Sequence, residues 1–238
     1  YFLTINNNSV YNRRMPFEIY TDYSNYSAEP FYRQKVFYTS KFSYLTGFKD
    51  NYGSSSSSYV AGEGFADVGI QSNGTNTSIT TLQTPNILPT PLPDVKIKVC
   101  GYNLRDHFLS VDVDNYNYIN DVFQYYEVRD YSFSINNSPV GSSYDFKFTA
   151  LPNPDGSNGI VYLKQIDLDY THTFSFAGEQ AASYTIPAKG SFTSTLTRWD
   201  ISNLNFSNPV LLLFSNDTIK KIGLTGSGNT FQALVPTY

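Results

Sequence analysis

Charged and helix-forming residues are scarce in this sequence. Asp, Glu, Lys and Arg make up 15% of its 238 residues, against about 25% in an ordinary soluble domain. Met and Trp occur once each, and Glu, Lys and Ala, which favour helices, are also few. These shortages argue against a helical protein.

The sequence has a single cysteine and no long apolar run. Cys100 alone excludes an internal disulfide, so the chain is not a small disulfide-stapled scaffold. It ends an alternating run, which predicts a buried, inert thiol over a reactive one. The longest apolar run, residues 210–214, is much shorter than the roughly 18–20 residues of a membrane span. We expect a buried strand there and no membrane span.

Basic clusters are also missing. The net charge is −4, and the lysines and arginines are scattered, apart from the pair Arg13 and Arg14. A nucleic-acid-binding protein would be expected to show a basic face or arm. We therefore expect no direct contact with nucleic acid.

Aromatic residues are abundant, with 21 Tyr and 18 Phe. Tyr, Phe and Thr suit the half-buried surface of a β-sheet. Apolar and polar residues alternate with a period of two in several runs, which is typical of antiparallel strands with one face on a core and one in water. These runs are 95–100, 132–135, 145–148, 166–170 and 173–176.

Turn signals separate these runs, most clearly at residues 153–159, where Asn, Pro, Asp, Ser and Gly follow one another. The pattern predicts an all-β, antiparallel β-sandwich, jelly-roll-like, with long loops and little helix beyond a turn or two near 117–126. Further strands are predicted near 16–21, 32–38, 41–48, 58–70, 107–113, 121–128, 159–165, 182–186, 191–198, 209–215, 217–224 and 229–235.

A proline-rich segment, residues 84–93, carries four prolines in ten residues. Proline cannot donate to a sheet ladder, so we expect an extended connection. One interpretation is a single β-rich unit over 1–238, with this segment as a long crossover. The alternative is a subdivision into 1–83 and 94–238.

Groups that perform catalysis are few. The two histidines, His107 and His172, belong to no recognisable catalytic or metal-binding motif. Asp167 and Asp169 share one face of a predicted strand. We interpret them as a solvated polar face, with a glycosidase-like carboxylate pair as the alternative. We therefore expect a protein that is not an enzyme.

Two oxygen-rich segments are candidate calcium sites. Asp112 and Asp114 open an Asn-rich stretch, and Asn153 and Asp155 occupy alternate positions of a predicted turn. Closely spaced oxygens can bind Ca²⁺, but the first segment lacks the EF-hand pattern and the second has the composition of an ordinary turn. We prefer structural turns, and we expect no other cofactor.

Tyrosines and sequons suggest contact surfaces. Tyr offers a large, rigid contact area with a polar tip and is enriched at interfaces; ordinary sheet packing is the alternative. Trp199 is a candidate sugar platform or a core residue. The candidate contact tyrosines are Tyr20, Tyr23, Tyr26, Tyr116, Tyr118, Tyr125 and Tyr126. Candidate glycosylation sites, which chance would also produce in this composition, are Asn7, Asn25, Asn73, Asn76, Asn136, Asn205 and Asn216.

Three functions remain open. The composition favours a non-enzymatic subunit of an extracellular assembly, such as a virion capsid, spike or tail component or a cell-surface filament or coat, with copies of itself or other subunits as partners. The first alternative is a carbohydrate-binding or adhesion module with a glycan ligand. The second is a hydrolase on a β scaffold, with Asp112, Asp114, Asp167 or Asp169 in play. We expect an extracellular or virion-surface location.

Overall fold

A computed structural model of the protein describes residues 16–50, 53–55, 58, 60–74, 76–137, 142–177, 179, 196–205, 209–215 and 218–236. Within these ranges the chain forms β-strands and no helix, so the predicted all-β class is confirmed. The strands are β1 (Phe17–Glu18), β2 (Tyr32–Thr39), β3 (Ser43–Thr46), β4 (Glu63–Ala66), β5 (Ile70–Gln71), β6 (Thr77–Gln83), β7 (Asp94–Gly101), β8 (Asp106–Val113), β9 (Tyr116–Gln124), β10 (Val128–Ser134), β11 (Ser143–Leu151), β12 (Ile160–His172), β13 (Leu196–Ile201), β14 (Leu211–Ser215), β15 (Thr218–Ile222), β16 (Thr225–Ser227) and β17 (Thr230–Pro236).

The chain divides into two compact units. Residues 33–172 form one, here called the jelly-roll unit, and residues 1–32 with 173–238 form the other, here called the terminal unit. Residues 84–93, where the sequence offers an optional boundary, connect β6 to β7 inside the jelly-roll unit.

The jelly-roll unit is wound from nested antiparallel pairs. The β8–β9 hairpin is innermost, and β7 pairs with β10, β6 with β11 and β5 with β12 around it. Successive pairs fall alternately in two sheets, ordered β6-β11-β8-β9 and β10-β7-β12, the latter extended by β2 and β5. This alternation defines a jelly roll, as the sequence predicts.

Side chains that alternate along these strands fill the space between the two sheets. Phe146 and Phe148 of β11 are completely buried, as are Val99 of β7 and Ile166 and Leu168 of β12. The polar residues between them consequently face outward. The core therefore fixes which side of each strand is presented to solvent.

The terminal unit has its own core. Strands β13, β17 and β16 form one three-stranded sheet, and β1, β15 and β14 form another. Trp199 of β13 is 3% exposed and its ring centroid lies 5.0 Å from that of Phe174. The only tryptophan of the sequence is therefore a core residue and not an exposed sugar platform.

The strand predictions fail in several places, and the alternating run 173–176 forms no strand of its own. Residues 117–126, where a turn of helix is expected, belong largely to β9. The predicted strand 58–70 is two short strands, β4 and β5, and β6 is missed because residues 77–83 contain only two large apolar side chains. The predicted strand 182–186 and the first part of 191–198 lie outside the described residues.

No helix in the described part of the chain is long and apolar enough to cross a membrane.

Candidate functional site

A groove lies on the outer face of the β10-β7-β12-β2 sheet, and we call it the sheet groove. Its volume is about 500 Å³, which is within the roughly 300–1,000 Å³ typical of ligand-binding sites. All of its residues belong to the jelly-roll unit. The lining residues are Lys35, Phe37, Asp94, Val95, Lys96, Ser132, Phe133, Ser134, Asp167, Leu168 and Asp169.

Strand register arranges the outward side chains in rows across β10, β7 and β12. Ser132, Lys96 and Asp167 are direct cross-strand neighbours and form what we call the open row. On one side of it is the closed row, which consists of Ser134, Asp94 and Asp169, and on the other is the outer row of Asp130, Lys98 and Gln165. Directly opposed side chains lie about 4.5–5.5 Å apart at Cβ. Each row therefore behaves as one local cluster.

Arg33 of β2 satisfies the closed row. Its Nε donates to Asp169 Oδ1 at 2.7 Å, and its Nη2 donates to Asp94 Oδ2 at 2.8 Å and to the carbonyl of Asp169 at 2.9 Å. Ser134 Oγ donates to the other oxygen of Asp94 at 2.7 Å. The Arg33 side chain is only 16% exposed. The two carboxylates of this row are therefore engaged by a nearly buried guanidinium.

The outer row is also paired within the protein. Lys98 forms an ion pair with Asp130 at 3.4 Å, and Gln165 Nε2 donates to Asp167 Oδ1 of the open row at 2.5 Å. These groups have internal partners on the same sheet face. They therefore offer less to a ligand than an unpaired group would.

The open row keeps its polar groups available. Among the described residues, neither the ammonium of Lys96 nor the hydroxyl of Ser132 has a hydrogen bond or ion pair, and the same holds for Lys35 of β2. Asp167 has one oxygen that accepts from Gln165 and a second that does not. Two cations, a hydroxyl and a carboxylate oxygen thus line the groove without a partner in the described part of the chain.

Phe37 supplies the apolar part of the sheet groove. It follows Lys35 on the same side of β2 and is 61% exposed. An aromatic ring that remains in water beside polar groups is a frequent feature of contact surfaces. The site therefore combines an exposed ring with hydrogen-bonding groups.

The groove presents side chains and not free backbone groups. It lies on a sheet face, where the backbone groups of β7 are already paired on both sides with β10 and β12. A peptide that adds to a sheet does so at an edge strand, through free backbone groups. The geometry suits a ligand with many hydroxyl groups, which side-chain donors and acceptors can recognise.

The carboxylate pair of the sequence, Asp167 and Asp169, lies in the sheet groove. Asp169 is held by Arg33 and Asp167 by Gln165. A glycosidase needs one carboxyl group that delivers a proton, whereas Asp169 is bound to a guanidinium. The arrangement suits ligand binding better than proton transfer.

The candidate contact tyrosines do not form one surface. Tyr116 and Tyr118 begin β9, whereas Tyr125 and Tyr126 follow its end, roughly 30 Å away at about 3.4 Å per residue. The hydroxyl of Tyr118 is bonded to Asn136 and Asn137. The second predicted group is therefore split between the two ends of a strand.

The first group of tyrosines belongs to the terminal unit. Tyr20, Tyr23 and Tyr26 are all half-buried. Tyr23 donates to Thr225 Oγ1 at 2.9 Å, and Tyr20 donates to Glu18 Oε2 at 3.1 Å. The hydroxyl groups of Tyr20 and Tyr23 are thus used within the unit.

The first calcium candidate is a hairpin turn. Asp114 and Asn115 connect β8 to β9 with φ of +48° and +70°, as a two-residue type I′ turn requires. Asp114 Oδ1 accepts from the backbone N–H of Asp145 at 2.9 Å. Asp112 Oδ1 accepts from Asn117 at 2.8 Å. These oxygens therefore stabilise the hairpin.

The polar side chains of the second calcium candidate are also engaged within the protein. Asn153 donates to the carbonyl of Asp106 at 2.8 Å and to Ser157 at 2.9 Å, and Asp155 accepts from the Ser157 N–H at 2.9 Å. Within the described ranges no group of three His, Cys, Asp or Glu side chains is placed to hold a metal ion.

The candidate glycosylation sites are exposed where they are described. Asn25, Asn73, Asn76, Asn136 and Asn205 all have exposed side chains, whereas Asn7 and Asn216 lie outside the described residues. Glycosylation at these positions remains a prediction.

Burial controls the two reactive groups in the core. It raises the pKa of the Cys100 thiol to about 11, so the nucleophilic thiolate is scarce near neutrality. Burial also lowers the pKa of His107, whose Nε2 lies 2.7 Å from the carbonyl of Tyr125. Because a carbonyl only accepts, Nε2 carries the proton. Neither group faces the sheet groove.

Comparison with known proteins gives a fold and no family. No protein-family model and no curated protein matches the sequence. Among solved structures, dimeric latent PorU from Porphyromonas gingivalis is similar with a TM-score of 0.63 and 12% identity over 88% of this chain. The chain spans 19% of the length of that PorU chain. At this identity the match shows the fold alone.

Two shorter matches are carbohydrate-binding modules. One is the CBM36-1 domain of a multidomain xylanase from the hindgut metagenome of Trinervitermes trinervoides, with a TM-score of 0.32 and 9% identity over 41% of this chain and 74% of that chain. The other is a CBM36 module in complex with calcium and xylotriose, with a TM-score of 0.29 and 12% identity over 39% and 71%. TM-scores this low are not evidence of a shared fold.

Sequence reasoning did not assign Lys35, Phe37, Lys96 or Ser132 to a site. The alternation already indicates that Lys96 and Ser132 face outward. It does not indicate that they are neighbours, because their strands are joined only through the register of β7 and β10.

Proposed function

We propose that this chain is a non-catalytic recognition module that binds a saccharide in the sheet groove. The observation that carries the proposal is the open row, in which Ser132 and Asp167 directly flank Lys96 and, among the described residues, Lys96 and Ser132 have no hydrogen bond or ion pair. Sugar hydroxyls both donate and accept, so an ammonium, a hydroxyl and a carboxylate oxygen together complement them. Phe37 offers a face for the apolar side of a sugar ring.

The absence of a catalytic role is part of the same proposal. In the groove, Arg33 engages both Asp94 and Asp169, and Gln165 donates to Asp167, so each of the three carboxylates already has a protein partner. Glycoside hydrolysis by the usual route needs two carboxyl groups with different tasks. Carboxylates that are already engaged by protein donors support binding and not bond cleavage. An extracellular or surface location follows from such a ligand and belongs to the proposal.

A glycan array tests this function. The full chain should bind a subset of immobilised oligosaccharides, and Phe37→Ala or Lys96→Met should weaken that binding about tenfold or more. Phe42→Ala is the matched control for the aromatic change, because Phe42 is 73% exposed and lies outside the groove. Lys98→Met is the control for the charge change, because Lys98 has the same strand and face but a partner in Asp130.

Two results would contradict the proposal. Binding that survives both groove variants would place the ligand elsewhere on the chain. If chromatography detects shortened sugars released from a bound oligosaccharide, the protein is an enzyme.

The assembly subunit that the composition favours remains a second candidate. It is supported by exposed apolar side chains on the β3–β4 hairpin, where Tyr44 and Phe65 are 56% and 52% exposed and stack edge to face at 5.2 Å. Monomeric proteins rarely expose large apolar patches that have no role. Light scattering coupled to size exclusion tests this candidate, because it measures the mass of the protein in solution. A stable oligomer that the Tyr44→Ser substitution converts to a monomer would support self-association.

A further inference from the structure

We infer that the saccharide bound in the sheet groove is uncharged, and that its hydroxyl groups bridge Lys96 and Asp167. This inference rests on the proposed function and names the class of sugar that the site takes. Its basis is the balance of charge in the groove and the placement of opposite charges on adjacent strands.

The charges of the groove cancel. Arg33 binds two of the groove carboxylates, at 2.8 and 2.7 Å, and so adds one positive charge beside them. Three cations then face three carboxylates, and a sugar with a net charge meets no excess of the opposite sign. The charged side chains that line the groove itself are Asp94, Asp167, Asp169, Lys35 and Lys96.

Opposite charges also alternate from strand to strand. Strand β12 lies between β7 and β2 in the sheet, so Asp167 stands between the strands that carry Lys96 and Lys35. Asp167 is the direct cross-strand neighbour of Lys96, which places their Cβ atoms about 4.5–5.5 Å apart. A charged ligand group that contacts one of these two side chains therefore also approaches the other. Attraction and repulsion then act over similar distances and largely cancel.

An uncharged hydroxyl group gains from both side chains. Its oxygen accepts a hydrogen bond from an ammonium group, and its hydrogen is donated to a carboxylate. Among the described residues, Lys96 has no hydrogen bond or ion pair, and one oxygen of Asp167 accepts no hydrogen bond. Hydrogen bonds to ionised groups are roughly twice as strong as those between neutral groups. A neutral sugar obtains such bonds without moving a charge of its own out of water.

The remaining contacts of the groove are neutral as well. Ser132 lies directly opposite Lys96 on β10 and presents a hydroxyl group. Phe37 is 61% exposed and presents an aromatic ring. Both suit the hydroxyl groups and the apolar face of a sugar ring, and neither selects an ionised one.

Titration calorimetry on matched sugar pairs tests the inference. For each backbone that the glycan array retains, a C6 carboxylate is compared with its methyl ester, and a C2 amine is compared with its N-acetyl form. For a β-1,4-linked glucose backbone, these are the C6-oxidised oligomer and its ester, and chitosan and chitin oligomers. In any pair that binds, the neutral member should bind about threefold or more tightly than the charged one. Its affinity should change less than about twofold with added salt, because it has no charge to be screened.

Variants connect this preference to Lys96 and Asp167. Lys96→Met leaves an excess of negative charge, so the amine should gain on its N-acetyl form about threefold. Asp167→Asn leaves an excess of positive charge, so the carboxylate should gain on its ester by a similar factor. Lys98→Met is the matched control, because Lys98 lies on the same face of β7 and is paired with Asp130; it should leave both ratios unchanged.

The possible failures are distinguishable. If the charged members bind as tightly as the neutral ones, or if the array retains only charged sugars, the inference is wrong and the saccharide-binding function stands. If no sugar of any charge binds, the proposed function is wrong and the inference falls with it. If neither Lys96→Met nor Asp167→Asn changes the ratios, the sugar does not bridge these two side chains.

Discussion

The outer face of the β6-β11-β8-β9 sheet differs from the face that carries the sheet groove. On the first face Thr81 Oγ1 donates to Asp145 Oδ1 at 2.6 Å, Asn117 donates to Asp112 at 2.8 Å, and Lys147 lies 4.0 Å from Asp112. Both faces are polar and both follow from the same alternation. On the first face the side chains satisfy one another, whereas on the second Lys96 and Ser132 have no hydrogen bond or ion pair among the described residues.

This difference teaches that polarity alone does not mark a binding face. A polar group that is paired within its own sheet must lose that bond before it serves a ligand. A group that is hydrated and unpaired exchanges only water. Cross-strand register decides which of these states a given residue has. Variants on one face can therefore serve as controls for variants on the other.

The largest change is expected from Arg33→Ala, which would open the closed row. The variant leaves Asp94 and Asp169 without their partner, so we expect a loss of about 3 kcal/mol in the free energy of unfolding. It also frees carboxylates beside Lys96, which then compete with the ligand for that ammonium group, and binding of the saccharide should fall. Urea unfolding measures the first effect and calorimetry the second.

Arg33→Lys is the control for that prediction. It keeps one positive charge but lacks the planar fork that reaches both carboxylates. We expect a smaller stability loss than for alanine. Equal stability of the alanine variant and the unmodified chain would show that the closed row is not a structural network.

The reverse experiment closes the open row. Ser132 lies directly opposite Lys96, so Ser132→Glu places a carboxylate beside the unpaired ammonium. An exposed cross-strand ion pair stabilises by only about 0.2–1 kcal/mol, but it removes the cation from the ligand. We expect affinity for the saccharide to fall about tenfold, with Ser132→Gln as the uncharged control; unchanged affinity of the glutamate variant would contradict this.

Acid should weaken the jelly-roll unit through His107, which faces neither outer surface. Burial lowers its pKa in the folded state and outweighs the carboxylates Asp106 and Glu127, which favour the charged form. The unfolded chain therefore takes up the proton first, and stability is lost as the pH falls below the unfolded value of about 6.5. The expected loss is about 1 kcal/mol per pH unit over the range between the two pKa values.

Chemical unfolding at pH 7.5, 6.5 and 5.5 measures this dependence. His107→Gln keeps a side-chain N–H and does not titrate, so its stability should vary less over this interval. If the stability of the unmodified chain depends on pH no more than that of His107→Gln, then His107 makes no contribution to the pH dependence.

The smallest effect comes from deleting one hydroxyl on each face. Thr81→Val removes a hydrogen bond to a carboxylate and should cost about 0.5–1 kcal/mol. Ser132→Ala removes a hydroxyl that has no partner in the described protein and should be nearly neutral in stability. Thermal unfolding of both variants compares the faces directly, and equal losses would abolish the distinction between them.

Much of the fold could be predicted because its signals are local. The alternating runs that become β7, β11 and β12 place apolar side chains on one side and polar ones on the other within a few residues. The strand β6 was missed because its apolar side chains are few and its burial depends on β11. The Phe174 and Phe176 alternation was visible, although these residues pack in the terminal unit without forming a strand of their own.

The candidate site was less predictable than the fold. The sequence indicated Asp167 and Asp169 as neighbours on one strand face, and both line the groove. The tyrosine groups were chosen by proximity along the chain, which does not bring Tyr116 near Tyr125 when a strand extends between them. Trp199 was undecided in the sequence, and its burial follows from contacts with residues far away along the chain.

The sequence by itself determined that this protein is an antiparallel β structure, because a period of two in hydrophobicity is stable only as strands with one buried face. In the alternating runs it also determined which side chains face water. Tertiary structure alone decided which of those side chains are neighbours, because Arg33, Asp94 and Asp169 meet only when β2, β7 and β12 lie side by side. Pairing of some charges and not others is a property of strand register, and the unpaired charges that define the sheet groove arise from it.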